Sequence, residues 1–155
     1  PKKTTKRFSE FYRELAARPP DSVTVIEAPY SGFGLYAPYP SYQLRHRQRV
    51  WVASEIGACE PENTNPFRHH PGMALHNVFY LAEPRAIDES GADYLVVHRN
   101  PALETSFYRA NSWHGRNLRM AGDECVEFAK ATWGAPVFED EDLAVFVLPG
   151  LLPHE

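Results

Sequence analysis

The sequence lacks most of the features that identify an enzyme or a nucleic-acid-binding protein at once. The chain has 155 residues and two cysteines. It contains no CxxC or HExxH motif for metal ligands and no Gly-x-Ser-x-Gly elbow. The net charge of −4 and the pI near 6.0 do not provide the basic face that nucleic-acid binding requires. No run approaches the roughly 18 apolar residues of a membrane span. These absences exclude a complete metal or hydrolase motif and argue against a nucleic-acid partner.

The cysteines and the densest histidine group do not form a recognisable metal-binding or catalytic motif either. Cys59 and Cys125 could pair if the fold brought them together, but the favoured interpretation is two unpaired thiols, with Cys125 as a small core residue, because free cysteine is commonly buried. His69, His70 and His76 share a proline-rich stretch, whereas zinc sites need three or four ligands on rigid elements. We therefore expect no metal and no cofactor.

The composition indicates one folded domain over residues 1–155. Apolar residues make up 43% of the chain, which is enough for a core. The chain starts at Pro1 rather than Met, so we expect a fragment or processed product of a larger protein. Basic residues at positions 2, 3, 6 and 7 would then lie near a bilayer.

Hydrophobic periodicity predicts an alternation of helices and strands. Apolar residues at helical spacing indicate helices, and the run at 94–97 is apolar throughout, as in a strand buried on both faces. Pro84 and Gly91 suit the start and the stop of one helix. The predicted helices cover 6–18, 84–91 and 123–133; the predicted strands cover 22–28, 49–54, 94–97, 136–139 and 143–148. The fold class is therefore α/β, a two-layer or three-layer sandwich around a mixed, mainly parallel sheet with a C-terminal antiparallel hairpin.

Three long loops are predicted at 30–48, 55–76 and 101–118, and loops of this length are usually functional. The first contains the Gly-x-Gly of Ser31-Gly-Phe-Gly34. As a dinucleotide fingerprint it is weak, since the third glycine is missing and Pro38 and Pro40 argue against the helix that should follow. The same loop is rich in tyrosine and could form a sugar-stacking platform, a membrane-interface surface or a cover for the core.

Polar residues follow the two most apolar strands. Because parallel strands place their carboxyl ends at one edge of a sheet, we expect these residues to form one cleft. The candidate binding residues are Glu27, Tyr30, Gln43, His46, His98 and Arg99. Arg99 would pair with Glu27 or bind a phosphate or carboxylate. No catalytic residue is assigned, although Ser31, His98 and Glu27 would suit a small α/β hydrolase.

Three segments together resemble a known family. They are residues 11–18 with 23–29 (FYRELAAR and VTVIEAP), residues 42–50 (YQLRHRQRV), and residues 91–99 with 133–148 (GADYLVVHR and WGAPVFEDEDLAVFVL). This pattern resembles the soluble C-terminal domain of bacterial multi-span membrane proteins of the C-type glycosyltransferase-like class. The chain departs from that pattern after His46, where Arg47-Gln-Arg replaces the usual Gly-Lys-Pro.

The resemblance implies a non-catalytic accessory domain, because the catalytic acids of that family lie between membrane spans. It implies an extracytoplasmic domain attached to its own upstream membrane region, with a sugar, a lipid-linked sugar or a partner protein as ligand. Gln43, His46 and His98 match recurring polar positions of such domains. The alternative is a free-standing small hydrolase.

Overall fold

In a computed structural model, the chain is described over residues 8–30, 39–54, 78–81, 83–99 and 112–151. The elements, in chain order, are α1 (Glu10–Ala16), β1 (Thr24–Tyr30), α2 (Tyr39–His46), β2 (Arg49–Ser54), β3 (Val78–Tyr80), α3 (Pro84–Asp88), β4 (Tyr94–His98), α4 (Ser112–Trp133), β5 (Phe138–Glu139), β6 (Leu143–Val147) and a short 3-10 helix at Pro149–Leu151. Among the helices in these ranges, none is both long and apolar enough to cross a bilayer.

The strands form one mixed sheet in the order β3-β2-β1-β4-β6-β5. Strands β1 to β4 pair in parallel, and β6 pairs antiparallel with both β4 and β5. This confirms the α/β class, the mainly parallel sheet and the C-terminal hairpin. From β1 the chain builds outward through β2 and β3, then returns to place β4 on the other side of β1. The sheet therefore has a topological switch point between β1 and β4, its two central parallel strands.

Two apolar cores cover the two faces of the sheet, so the architecture is a three-layer sandwich. On one face, α1 contributes Phe11, Tyr12 and Leu15 to a core shared with the strands, and α2 packs beside α1. On the other face, α4 contributes Cys125, Val126 and Ala129, and α3 contributes Ile87. Alternate residues of β1 and β4 enter opposite cores because successive strand side chains point to opposite faces.

Two predicted loops contain helices. The segment 30–48 includes α2, whose second residue is Pro40, and proline is tolerated in the first turn because that N–H needs no helical partner. The expectation that Pro38 and Pro40 argue against a helix after the Gly-x-Gly turn was therefore wrong for Pro40. The prediction of a loop over 101–118 was also wrong for its last part, because α4 begins at Ser112 rather than at residue 123. The predicted loop 55–76 lies outside the described residues.

The cysteine prediction is wrong for Cys125, which is disulfide-bonded rather than a free thiol. Cys125 is fully buried in the core beneath α4. The other cysteine of the chain, Cys59, lies outside the described residues.

Arg47 ends α2 in the left-handed conformation that glycine usually supplies. Its φ is 61°, and its backbone N–H donates to the Gln43 carbonyl at 2.7 Å. For a residue with a Cβ the left-handed conformation costs roughly 1–2 kcal/mol.

Arg47→Gly is therefore expected to raise the free energy of unfolding by about 1 kcal/mol, because glycine adopts this conformation without strain. Urea denaturation measures the change. The matched control is Arg45→Gly, two positions earlier within α2, which should lower stability by about 1 kcal/mol. Destabilisation by both substitutions would show that the left-handed turn is not strained.

Candidate functional site

Two polar side chains lie on the strands that flank the switch point, one in the middle of β1 and one at the carboxyl end of β4. Glu27 is in β1 and His98 is the last residue of β4. Both are buried, at 0% and 1% exposure, although they face the apolar core beneath α1. Beside Glu27 the β1–β2 register shifts, an irregularity common next to functional sites. In open α/β sheets this crevice is the usual place for a ligand.

Glu27, His98 and Tyr12 form a closed hydrogen-bonded triad. The Nε2 of His98 lies 2.6 Å from Oε2 of Glu27, and the Tyr12 hydroxyl lies 2.8 Å and 2.9 Å from the two carboxylate oxygens. The Tyr12 oxygen is also 3.0 Å from His98 Nε2. Because an ionised carboxylate only accepts hydrogen bonds, the short contact places a proton on Nε2 and makes His98 the donor. A buried acid, an imidazole and a phenol are thus held within hydrogen-bond distance of one another.

Aromatic rings from both helices stack over this triad. The Tyr12 ring packs on Tyr42 at 4.9 Å and on His46 at 5.5 Å between centroids. Tyr42 also stacks on His98, at 6.1 Å with an interplanar angle of 11°. The rings of His46 and His98 both lie within 6.3 Å of the Tyr12 ring, measured between centroids. We call this group (Tyr12, Glu27, Tyr42, His46 and His98) the edge cluster.

His46 is the most unusual member of the edge cluster. Its ring is fully buried, and its Nδ1 accepts a hydrogen bond from the Gln48 backbone N–H at 3.0 Å. Among the described residues, its Nε2 has no hydrogen-bond partner. Burial lowers the pKa of His46 below its ordinary value of 6.5, and the nearby Glu27 carboxylate opposes that shift. At neutral pH the ring is therefore uncharged, with its proton on Nε2.

The lowered pKa of His46 predicts how stability depends on pH. Below pH 6.5, the ordinary pKa of histidine, His46 is protonated in the unfolded chain but stays neutral in the folded chain. The neutral His46 of the folded state therefore costs no stability above pH 6.5, and the free energy of unfolding decreases as the pH falls below 6.5. We expect a lower urea midpoint at about pH 5.5 than at about pH 7.5. In His46→Asn the difference should shrink, because asparagine does not titrate. An unchanged difference would assign the pH dependence to other groups.

Gln48 fixes the backbone that presents His46. Its fully buried amide oxygen accepts from the backbone N–H groups of Ser22 and Val23 at 3.0 Å each. Its amide nitrogen donates to the carbonyls of Leu15 and Pro19, also at 3.0 Å each. One side chain thereby ties the end of α1 and the start of β1 to the end of α2, which holds Tyr12, Glu27 and His46 in register.

Of the remaining predicted site residues, Gln43 and Arg99 lie outside the edge cluster. Gln43 is exposed, and its amide donates to the Gln48 carbonyl at 3.0 Å. Tyr30 is the last residue of β1, paired in register with Ser54. Arg99 points to the opposite face from His98, as strand alternation requires. It contacts Glu139 and the Asp140 carbonyl in the hairpin, so the predicted pairing with Glu27 was wrong.

Sequence reasoning missed three residues that build the site. Tyr12 and Tyr42 were interpreted as core and loop aromatics, and Gln48 was not considered. A signal was present for Tyr12, which is the one hydroxyl-bearing residue on the apolar stripe of α1, and a buried tyrosine hydroxyl usually finds a partner.

Other candidates from the sequence are untested. Ser31, the Gly-x-Gly turn and the histidines at 69, 70 and 76 lie outside the described residues. Across the part of the chain that the structure describes, no group of three or more His, Cys, Asp or Glu side chains is arranged to hold a metal ion.

A comparison with protein-family models, curated proteins and solved structures finds no match to this chain. Its function must therefore be argued from the edge cluster and from the sequence.

Proposed function

We propose that this chain is a non-catalytic binding domain of a membrane glycosyltransferase-like protein, and that the edge cluster binds a sugar or a lipid-linked sugar. The observation that carries the proposal is the buried Glu27–His98 pair, 2.6 Å apart, which joins the two strands flanking the switch point. Burying such a pair is a poor route to stability, since the desolvation cost offsets much of the attraction. His98 ends β4 beside the switch point, where open α/β sheets usually bind ligands, and this placement favours a role in recognition.

The aromatic stack supports a sugar as the ligand. Tyr42, the half-buried member of the edge cluster, carries an aromatic ring and a hydroxyl, the combination of apolar body and polar tip that suits amphipathic ligands. The resemblance to glycosyltransferase-like accessory domains points to the same class. Gln43, which matches one of the polar positions of that family, lies on the exposed side of α2.

The disulfide at Cys125 supports an extracytoplasmic location for the domain. Disulfides persist in oxidising compartments and are rare in the cytosol. This agrees with the side of the membrane that the resemblance implies, with the parent protein anchored through its own upstream membrane region.

A hydrolase is the second candidate, favoured by the same Glu27–His98 contact. In a Ser-His-Asp triad the carboxylate occupies Nδ1 and leaves Nε2 to the nucleophile. Here Glu27 and Tyr12 both lie at Nε2 of His98. The arrangement therefore suits a fixed binding group better than a general base for Ser31.

Nuclear magnetic resonance of the histidine rings tests the proposal. The chain would be titrated with methyl glycosides of glucose, galactose and mannose and with the corresponding sugar 1-phosphates. We expect at least one sugar to shift the His98 ring signals, and Glu27→Gln to weaken that sugar at least tenfold. No shift at millimolar concentration for any sugar would refute the binding role, and hydrolysis of p-nitrophenyl acetate abolished by Ser31→Ala would establish the hydrolase instead.

A further inference from the structure

The charges of this chain are divided between the two helical layers of the sandwich. Residues 1–54, which include α1 and α2, contain nine basic and four acidic residues. Residues 55–155, which include α3 and α4, contain seven basic and sixteen acidic residues. The helices of the basic part pack on one face of the sheet, and those of the acidic part pack on the other. Such a polarity orients a protein on a charged surface.

Within the described part of this layer, the excess of basic charge lies on α2. Residues 39–54, which form α2 and β2, contain three arginines and no aspartate or glutamate. On α1, by contrast, Arg13 pairs with Glu10 at 3.3 Å and Glu14 is also exposed, so the outer surface of α1 is close to neutral. An anionic partner would therefore approach this layer of the domain at α2.

Arg45 presents its guanidinium at the surface of α2, beside an aromatic ring. Arg45 is exposed, and its guanidinium carbon lies 5.2 Å from the centre of the half-buried Phe8 ring. It forms no ion pair with any residue that the structure describes. Arg47, by comparison, follows α2 next to Asp21, whose N–H donates to the Arg47 carbonyl at 3.0 Å. The N–H groups of Arg45 are therefore the donors that a phosphate approaching α2 would meet.

Leu44, which is 84% exposed, makes the outer surface of α2 apolar as well as basic. It is two residues from both Tyr42 and His46, which pack toward the core, and residues two apart point in nearly opposite directions on a helix. A single exposed leucine is ordinary on its own. Leucine and phenylalanine beside basic residues, however, are typical of helices that lie at a membrane surface. We call Phe8, Leu44 and Arg45 the α2 patch.

The chain enters the described fold at the α2 patch, through a basic segment. Phe8, whose ring lies beneath Arg45, is bonded to Arg7, and residues 1–7 contain four basic residues and no acidic one. Each basic residue near an anionic bilayer strengthens binding by about fivefold. A bilayer supplies phosphate groups for Arg45 and an apolar layer for Leu44, whereas the acidic face of a protein supplies charge without an apolar layer.

We propose that the α2 patch docks on the surface of an anionic lipid bilayer, with Arg45 bound to lipid phosphate and Leu44 inserted at the boundary between headgroups and acyl chains. The helices α3 and α4, which belong to the acidic part of the chain, then face away from the bilayer because the same headgroups repel them. This inference goes beyond the proposed function, since it concerns an exposed surface and holds whether or not the edge cluster binds a sugar.

Sedimentation of the full chain with lipid vesicles tests the inference. One set of vesicles contains phosphatidylcholine alone, and the other contains phosphatidylcholine and phosphatidylglycerol in equal parts. We expect the chain to bind the anionic vesicles more tightly, and added salt to weaken that binding. Arg45→Gln should weaken it by about fivefold. Leu44→Asn should weaken it by roughly threefold or more, because less apolar surface leaves water.

Two controls make matched changes at exposed positions away from α2. Arg85→Gln removes the same charge from α3, where the Arg85 side chain is 91% exposed. Val137→Asn removes an apolar side chain, 60% exposed, just before β5. Both controls should leave the vesicle affinity unchanged, and circular dichroism shows whether all four variants are folded.

Several results would overturn the inference. The first is an absence of vesicle binding, or equal binding to both kinds of vesicle. The second is full affinity of Arg45→Gln and Leu44→Asn, which would assign the binding to the segment before Phe8. The third is binding to polyglutamate as tight as to anionic vesicles and insensitive to Leu44→Asn, which would indicate an acidic protein partner. None of these results bears on the sugar titrations, which contain no lipid.

Discussion

Val96→Asp is expected to give a chain that does not fold. Val96 is fully buried at the centre of β4, in the core beneath α1. Its parallel register partner is Glu27 and its antiparallel partner is Val145. A new carboxylate would therefore be buried without a partner and beside an existing carboxylate. Such a group costs several kcal/mol, which is comparable to the roughly 5–15 kcal/mol total stability of a domain.

The matched control is Val137→Asp, which makes the same chemical change at a valine that is 60% exposed. It should alter the free energy of unfolding by no more than about 0.5 kcal/mol, as is usual at surface positions. Circular dichroism and urea denaturation of the two variants measure the contrast. A folded Val96→Asp variant with an unchanged urea midpoint would show that β4 is not a core strand.

The sheet was predictable because its signals are local and strong. The continuous apolar run at 94–97 identified β4 and the high apolar content of 22–28 identified β1 as central strands, and the acidic turn between two short apolar runs identified the hairpin. Gly91 and Gly134, predicted to stop helices, have φ values of 81° and 85°. The rule for crossover connections also predicted that the carboxyl ends of the parallel strands share one edge, whereas the order of the strands was not predicted.

The helix boundaries and half of the cleft were not predictable in the same way. The beginning of α2 depends on Pro40 occupying a first turn, and its end depends on Arg47 adopting a conformation that non-glycine residues rarely use. Arg99 was misassigned because the prediction considered strand ends and ignored alternation, which sends neighbouring residues to opposite faces. The contribution of Tyr12 arises only when α1 packs on the sheet, which is a tertiary effect.

Glu27→Ala is expected to lower the free energy of unfolding by about 3–5 kcal/mol, since it leaves two buried polar groups without their shared acceptor. Those groups are the Tyr12 hydroxyl and the His98 ring, at 2% and 1% exposure. The control is Glu139→Ala, which removes a surface carboxylate that contacts Arg99 and Lys130. Because surface ion pairs contribute about 0–1 kcal/mol, the control should retain nearly full stability.

A triple replacement decides whether the triad serves stability or recognition. Tyr12→Phe, Glu27→Leu and His98→Leu together exchange the three polar groups for apolar groups of similar size within an apolar core. Replacing a buried polar network in this way is often neutral or stabilising, so the triple variant should regain most of the stability that Glu27→Ala loses. It should at the same time lose all binding of the methyl glycosides. Urea denaturation and ring-shift titrations of the single and triple variants measure the stability and the sugar affinity.

If the triple variant is no more stable than Glu27→Ala, the triad is a structural network that the fold requires. If the triple variant is stable and still binds sugar, the ligand lies elsewhere. Recovered stability with abolished binding is the result that a recognition site at the switch point predicts.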